Sequence, residues 1–326
     1  MIETVSKTRK SKYLEDKILQ RNFPLGIEPK IFKLNITNIC NLSCSTCPYS
    51  KITYPQGYMS EKLFDKILDR DLEENSYIEL FNFGEPFLHP KIGLFTQLLD
   101  QKNIHTLIST NGNVGHEKVE EVLGNTNIRL LVAIDSLRQE IYEKVRKKGD
   151  VEKVFKFIDL CEEYRQFDEQ VKLLVVSTPF NQEYFDEVVE EYVDSFPVIK
   201  RPADTFGGEV SNEVSTHTVM DKPVERVPCV FPFINCCVEW DGSVSACCFD
   251  YNLELRYGNL KKNSLKELWN MRPWKEFRQA MLKGDLEKYP RCQKCDGWRN
   301  VLYDEKNYWR LVSEDKENYY YFKEDK

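Results

Sequence analysis

Three cysteines crowd the segment NICNLSCSTCPY, at Cys40, Cys44 and Cys47. Thiols at such spacing are metal ligands by type, but a structural metal site closes with four ligands rather than three. A cubane iron–sulfur cluster presents four irons, each needing an external ligand. Three cysteines would hold three of them and leave one open, which is how a metal centre admits a substrate or cofactor. The alternative is a zinc site completed by a distant Cys or by one of the four histidines, His89, His105, His116 and His217. A second set lies far along the chain: Cys229, Cys247 and the knuckle Cys292-Gln-Lys-Cys295. Four thiolates are the number that closes a cubane. Cys161, Cys236, Cys237 and Cys248 are left over and read as small buried residues, although Cys236 is expected to pair across a hairpin from Cys247.

The rest of the composition says where such chemistry can run. The chain has 326 residues, 41% of them hydrophobic and 30% charged, enough for a barrel-sized domain with an appendage. No apolar run reaches the roughly 20 residues that span a bilayer, and the first residues lack the apolar core of a secretory signal. Eleven cysteines then point to a reducing, cytoplasmic compartment, where thiols bind metals rather than pair as disulfides. A net charge of −7 argues against a nucleic-acid groove, since the short basic run Lys7 to Lys12 reads as a solvated helix start.

Both cysteine sets must be positioned by the elements around them. IFKLNIT (31–37) reads as a strand that runs into the first cysteines, and SEKLFDKILDRDL (60–72) as a helix capped by Ser60. Strands at 77–83, 104–110, 128–135 and 171–178 alternate with helices around 91–102, 116–123, 138–165 and 182–194. The pattern implies about six parallel βα units, an open or partial barrel, whose chemistry belongs at the C-terminal ends of the strands. The cysteine loop, FGEP (83–86), STNG (109–112) and Asp135 all fall there. Each alone is ordinary turn chemistry, but together they mark one rim. After about residue 205 the rhythm changes. FINCCVEWDGSVSACCFD (233–250) reads as a hairpin on a two-residue Asp241-Gly242 turn, and 264–285 as one helix with a Ser264/Glu267 capping box.

The C-x3-C-x2-C, FGEP and STNG motifs, in this order over roughly residues 31 to 200, closely resemble the radical S-adenosylmethionine (SAM) superfamily. The resemblance implies a [4Fe–4S] cluster on Cys40, Cys44 and Cys47, whose open iron is chelated by SAM and which cleaves it to a 5′-deoxyadenosyl radical. It implies that Gly84, Glu85 and Pro86 hold the methionine amino group, with Glu85 as its charged partner. Ser109, Thr110 and Asn111 would face the ribose or sulfonium, Asp135 would contact the ribose, and Arg146 would pair with the SAM carboxylate. The family usually has a bulky residue before the third cysteine. This chain has Thr46, and Tyr49 is expected to cover the adenine instead.

The later cysteines resemble the SPASM or twitch domains of the same superfamily, through Gly242 with Cys247, GNL (258–260) and SLKELWN (264–270). Because no cysteine follows Cys295, the single-cluster form matches better, and the spacing is similar to that of a family aminocyclitol dehydrogenase. The implied fold is a partial (βα)6 TIM-like barrel over 31–205, after an N-terminal extension (1–30). A small hairpin and helix auxiliary-cluster domain (206–300) and a C-terminal tail (301–326) follow. The implied function is oxidation of a hydroxylated small molecule, such as a sugar, sugar nucleotide or aminocyclitol, fed with electrons by a flavodoxin or ferredoxin. A second, auxiliary [4Fe–4S] cluster on Cys229, Cys247, Cys292 and Cys295 would accept the electron. The alternatives are peptide maturation, against which the mere 30 or so residues before the first strand weigh, an epimerase with Cys161 or Cys236 as thiol donor, and a zinc-stabilised binding module. No residue is assigned as catalytic base.

Overall fold

A computed structural model describes residues 30–211, 213–215, 226, 228–229, 231–295, 297–298 and 320–321. The basic run at Lys7 to Lys12, the N-terminal extension up to residue 29 and nearly all of the tail lie outside the described residues. Parallel strands β1 (Lys30–Leu34), β2 (Tyr77–Glu79), β3 (His105–Thr110), β4 (Ile128–Ala133), β5 (Val171–Ser177) and β6 (Val198–Pro202) lie side by side in chain order. Helices α1 (Glu61–Asp71), α2 (Ile92–Gln101), α3 (Val119–Leu123), α4 (Gln139–Val145), α5 (Val151–Tyr164) and α6 (Phe185–Tyr192) separate them. This is the partial barrel that the alternation implies. The helix-facing residues of the strands, including Ile78, Ile108, Leu130, Val132, Leu173 and Val175, are buried in one apolar core with Phe64, Phe95 and Phe157. Ser60 caps α1, its side chain accepting from Leu63 N.

The helices expected across 138–165 are two, separated by Lys148 at φ 71° and Gly149. Strands one and two are shorter than expected because Ile36 to Asn38 and Phe81 to Phe83 leave the ladder to become site loops.

The hairpin is not a separate layer. After a one-turn helix, α7 (Phe231–Ile234), strand β7 (Asn235–Val238) pairs parallel with the free edge of β1, and β8 (Ser243–Ser245) and β9 (Arg256–Asn259) continue the same sheet antiparallel. The short β10 (Tyr320–Tyr321) pairs antiparallel with β6, so the sheet order is β10-β6-β5-β4-β3-β2-β1-β7-β8-β9. The turn holds three residues rather than two. Glu239 N donates to Ser243 O at 2.8 Å, Gly242 N to Glu239 O at 2.7 Å, and Gly242 takes φ 83°. This is the three-residue loop that places glycine in the left-handed region. The extra residue slips the register: Cys237 faces Ser245 and Val238 faces Val244, so Cys236 does not pair with Cys247.

The helix expected over 264–285 is likewise two, α8 (Leu265–Asn270), with the capping box Ser264/Glu267 formed, and α9 (Arg272–Lys283). Pro273 has no N–H and its ring would clash with the carbonyl four residues back in a continuous helix, so it sits in the first turn of the second helix and Met271, at ψ 150°, breaks the run. A last short helix, α10 (Pro290–Lys294), carries Cys292.

One glycine fixes how the loops after β1 and β2 approach. Gly84 takes φ 152°, and a Cβ there would stand 2.2 Å from Thr37 O and 2.9 Å from Asn38 Cα, both backbone atoms that cannot swing aside. Glu85 N then donates to Ile39 O at 2.8 Å. Gly84→Ala is expected to cost about 1–3 kcal/mol by overpacking alone and to push the cysteine loop outward. Denaturant unfolding and iron retention together check this, and wild-type values for both would refute the close approach.

Candidate active site

The loop from Cys40 to Cys47 is pinned from two sides. Ser45 N and its hydroxyl donate to Val145 O at 2.8 and 3.1 Å, and Ser43 N donates to Lys147 O at 3.1 Å, so the C-terminal end of α4 supports the loop. On the other side the Tyr49 hydroxyl accepts from Cys40 N at 3.0 Å and from Gln56 Nε2 at 2.7 Å, and donates to Cys40 O at 3.3 Å. Tyr49 thus fastens the first cysteine through its hydroxyl. Asn38 adds a third brace, accepting from Gly57 N at 2.9 Å and donating to Pro55 O at 3.0 Å. Burial pushes the Cys40 and Cys47 thiols up to about 12, with the Glu85 charge adding at Cys40 and the Cys44 sulfur at Cys47. Cys44 is raised by burial against the opposing pull of Arg146. Without metal the loop therefore holds neutral thiols, and loading must expel their protons.

The motif residues of the rim converge on this loop. The Glu85 carboxylate is buried and accepts three hydrogen bonds: Phe87 N at 3.0 Å, the Thr110 hydroxyl at 2.8 Å and Asn111 N at 2.8 Å. Burial raises its pKa, and these three donors and Arg146 oppose the rise. Glu85 therefore welds the GEP turn, where Pro86 opens a short 3-10 turn (Pro86–Leu88), to the STNG turn. The Asn111 amide reaches Asn41 Oδ1 at 3.0 Å and lies 4.0 Å from Cys40 Sγ. Ser109 sits on the half-exposed inner face of β3. Asp135 and Arg146 meet each other: Arg146 Nε donates to Asp135 Oδ2 at 2.6 Å, Asp135 Oδ1 accepts from Val176 N at 2.7 Å, and Arg146 Nη1 lies 3.9 Å from Cys44 Sγ. Burial would lower the Arg146 pKa, but the negative charge of Asp135 outweighs it and raises it.

The second cysteine set gathers where the loop after β6 meets the loop after β8. Cys229, Cys292 and Cys295 influence one another electrostatically, as do Cys247, Cys229 and Cys295. Burial pushes Cys229 and Cys292 up to about 12. Backbone donors cradle two of the sulfurs, Phe249 N at 3.3 Å from Cys247 Sγ and Gly297 N at 3.3 Å from Cys295 Sγ. Arg226 donates to the carbonyls of Cys292 and Gln293. An aromatic chain, Phe249 to Phe206 at 5.0 Å and Phe206 to Phe83 at 5.8 Å, links this set to the residue before Gly84.

Several polar residues went unread in the sequence. The register sets Glu79, Lys33 and Cys237 in one row across β2, β1 and β7, with Lys33 and Glu79 ion-paired. Beyond them Glu239 meets Asn35, Tyr54 and Asn82. Only the alternation around the hairpin turn could have hinted at Glu239, because its partners lie far away in sequence. Of the spare thiols, Cys161 and Cys236 are fully buried in the helix-facing core, and Cys236 reaches Lys30 O at 3.6 Å.

Among the described residues no three His, Cys, Asp or Glu side chains are placed to hold a single metal ion. No described helix is long and apolar enough to cross a membrane.

Residues 34–192 match the Radical SAM superfamily, and residues 229–296 match the SPASM iron–sulfur cluster-binding domain. Over 159 residues the chain is 28% identical to a probable GTP 3′,8-cyclase of Methanococcus maripaludis, covering 48% of this chain and 53% of that protein. It thus spans about half the length of that relative. A tungsten-containing aldehyde ferredoxin oxidoreductase cofactor-modifying protein of Pyrococcus furiosus is 24% identical over 323 residues, 82% of this chain and 87% of that protein. The fold superposes on BtrN in complex with AdoMet and 2-DOIA with a TM-score of 0.57 at 18% identity, over 83% of this chain and 94% of that one. The cofactors of such domains are SAM and [4Fe–4S] clusters. With both domains in sequence on one partial barrel, the chain belongs to the radical SAM superfamily and carries a SPASM iron–sulfur domain.

Proposed function

We propose that this enzyme is a radical SAM oxidoreductase that removes two electrons from a C–H/alcohol carbon of a hydroxylated small molecule, such as a sugar, sugar nucleotide or aminocyclitol. The observation that carries the reading is the unequal pair of cysteine sets on one sheet, three thiols at the rim and four beside the β7–β8 hairpin. Three thiolates leave a metal position open and four close it, so the first set suits cofactor binding and the second electron storage. Bound there, SAM and its cluster would supply a hydrogen-abstracting carbon radical, and the substrate radical would then give its proton to a base and its electron to the auxiliary cluster. The chain's own residues hold and orient. Cys40, Cys44 and Cys47 ligate the first cluster, and Cys229, Cys247, Cys292 and Cys295 the second. Gly84 lets the GEP turn close on the cysteine loop, and Glu85 fixes the Thr110 and Asn111 turn, while Pro86, Ser109 and Tyr49 shape the same cradle. Asp135 holds the Arg146 guanidinium beside Cys44, where it can meet a cofactor carboxylate. A flavodoxin or ferredoxin would deliver the reducing electron.

The burial of Cys161 and Cys236 on the helix-facing side weighs against an epimerase that needs either as hydrogen donor. A second reading, action on a nucleotide or on a cofactor, draws support from the Methanococcus and Pyrococcus relatives, a probable GTP 3′,8-cyclase and a cofactor-modifying protein.

Anaerobic reconstitution is expected to give about eight irons per chain. A Cys40/Cys44/Cys47→Ala variant should keep about four and lose all 5′-deoxyadenosine formation, and full iron retention would remove these cysteines from the site. Glu85→Gln keeps one acceptor oxygen and should leave iron unchanged while weakening SAM binding about tenfold, the scale of one or two hydrogen bonds to a charged group; calorimetric titration with SAM reads this directly. Replacing Cys292 and Cys295 by Ala should abolish product oxidation while SAM is still cut. Mass spectrometry of a substrate panel separates a carbonyl product two hydrogens lighter from an isomer, and an isomer alone would exclude the oxidoreductase reading.

A further inference from the structure

Glu239, at the end of β7, is a buried carboxylate that no part of the foregoing chemistry uses. Its Oε2 accepts from Asn35 Nδ2 at 2.7 Å and from the Tyr54 hydroxyl at 2.9 Å, and its Oε1 accepts from Asn82 Nδ2 at 3.4 Å. Each partner belongs to a different part of the SAM-binding rim. Asn35 is five residues before Cys40, and its amide also reaches Phe83 O at 3.4 Å. Asn82 is two residues before Gly84. Tyr54 lies in the extension of the cysteine loop, next to Pro55 and Gly57, which Asn38 grips. Beside it Trp240 packs so closely on Gly57 that a Cβ there would stand 2.5 Å from the indole ring. One carboxylate on the auxiliary hairpin thus gathers both loops that the first cluster and its cofactor need.

We propose that Glu239 is a positioning residue for the SAM site, holding the cysteine loop and the GEP loop in register with the hairpin that leads to the auxiliary cysteines. The proposal rests on the function proposed above only for the identity of the cofactor those loops hold. Plain core packing does not explain the choice of side chain. A buried carboxylate among three neutral donors costs desolvation that an amide would avoid. In return it accepts from all three donors at once, which the single oxygen of a glutamine cannot do as well.

The site also carries a proton signature. Burial raises the Glu239 pKa to about 7, opposed by the hydrogen bonds from Asn35, Tyr54 and Asn82 and reinforced by the Asp241 charge. The ionisable groups that face it are Tyr54 from the cysteine-loop extension, Asp241 from the turn, and Cys237 from its own strand. With the folded pKa raised above the ordinary 4.5, the unfolded chain ionises first as pH rises. Stability from this group is therefore full below about 4.5, falls through the interval and is lost above about 7. The loops are gripped most strongly once the carboxylate is ionised, even though ionisation itself costs stability.

The test uses the reconstituted holoenzyme and dithionite-driven SAM cleavage, which needs no second substrate. Glu239→Ala is expected to keep its iron but to weaken SAM affinity about tenfold or more. Glu239→Gln should keep both iron and fold and lose the inflection near neutral pH in the cleavage rate, and Tyr54→Phe should give a milder loss of affinity. The melting temperature of Glu239→Gln relative to wild type should rise between pH 5 and 7 and then level. Wild-type SAM affinity and pH profile in both Glu239 variants would overturn the proposal. So would iron, melting temperature and SAM affinity falling in proportion, which marks a merely structural role. If the wild-type protein itself fails to cleave SAM, the functional reading fails, while SAM affinity and the pH-dependent melting difference still decide the role of Glu239.

Discussion

Strand β1 is hydrogen-bonded on both edges, to β2 on one side and to β7 on the other, and both candidate centres depend on that double pairing. A parallel neighbour on each edge means that three strands end at the same rim, so the loops that leave them must pass close to one another. The cysteine loop leaves β1, the GEP loop leaves β2 and the hairpin turn leaves β7. Had the hairpin formed a free-standing appendage, the auxiliary cysteines could have drifted relative to the barrel. Sharing a sheet with β1 fixes their distance through backbone hydrogen bonds, which are far stiffer than a linker.

Rigidity at this rim is obtained with buried polar groups, which is a costly way to build it. Glu85, Asp135, Arg146 and Glu239 are all drawn out of water or nearly so. An unpaired charge in such a place would cost several kcal/mol. Each carboxylate is instead saturated: Glu85 by three donors, Asp135 by Arg146 and the Val176 amide, Glu239 by two amides and a phenol. Apolar residues could fill the space with less desolvation, but they would not specify direction. Hydrogen bonds hold a turn in one orientation, and a site that must present three thiols and a cofactor cradle together needs orientation more than it needs stability.

The inner face of the sheet mixes its chemistry. Leu107, Leu131 and Leu174 stand among Ser109, Arg129 and Lys172 on the β3 to β5 side, while Glu79, Lys33, Asn35 and Glu239 occupy the β2, β1 and β7 side. Barrel interiors are usually filled by layers of branched apolar residues.

Much of this protein is determined by sequence alone, where the signal is local. The strand and helix alternation and the Ser60 and Ser264 caps depend on residues within one or two turns of each other, and each forms as its spacing implies. The break at Met271 was not read, because the apolar periodicity runs through Pro273 and hides it. Only the tertiary structure decided the rest. Whether Gly242 sits in a two- or three-residue turn depends on how β8 meets β7 and its neighbours, and one residue of slip moved Cys236 away from Cys247. The carboxylate of Glu85 turned to the STNG backbone, the Tyr49 hydroxyl to Cys40 and Arg146 to Asp135, because each found its partner across the rim. Glu239 is the clearest case. Its partners Asn35, Tyr54 and Asn82 are more than 150 residues away along the chain, and no spacing rule operates at that range; only the pairing of β7 with β1 brings them within hydrogen-bonding distance.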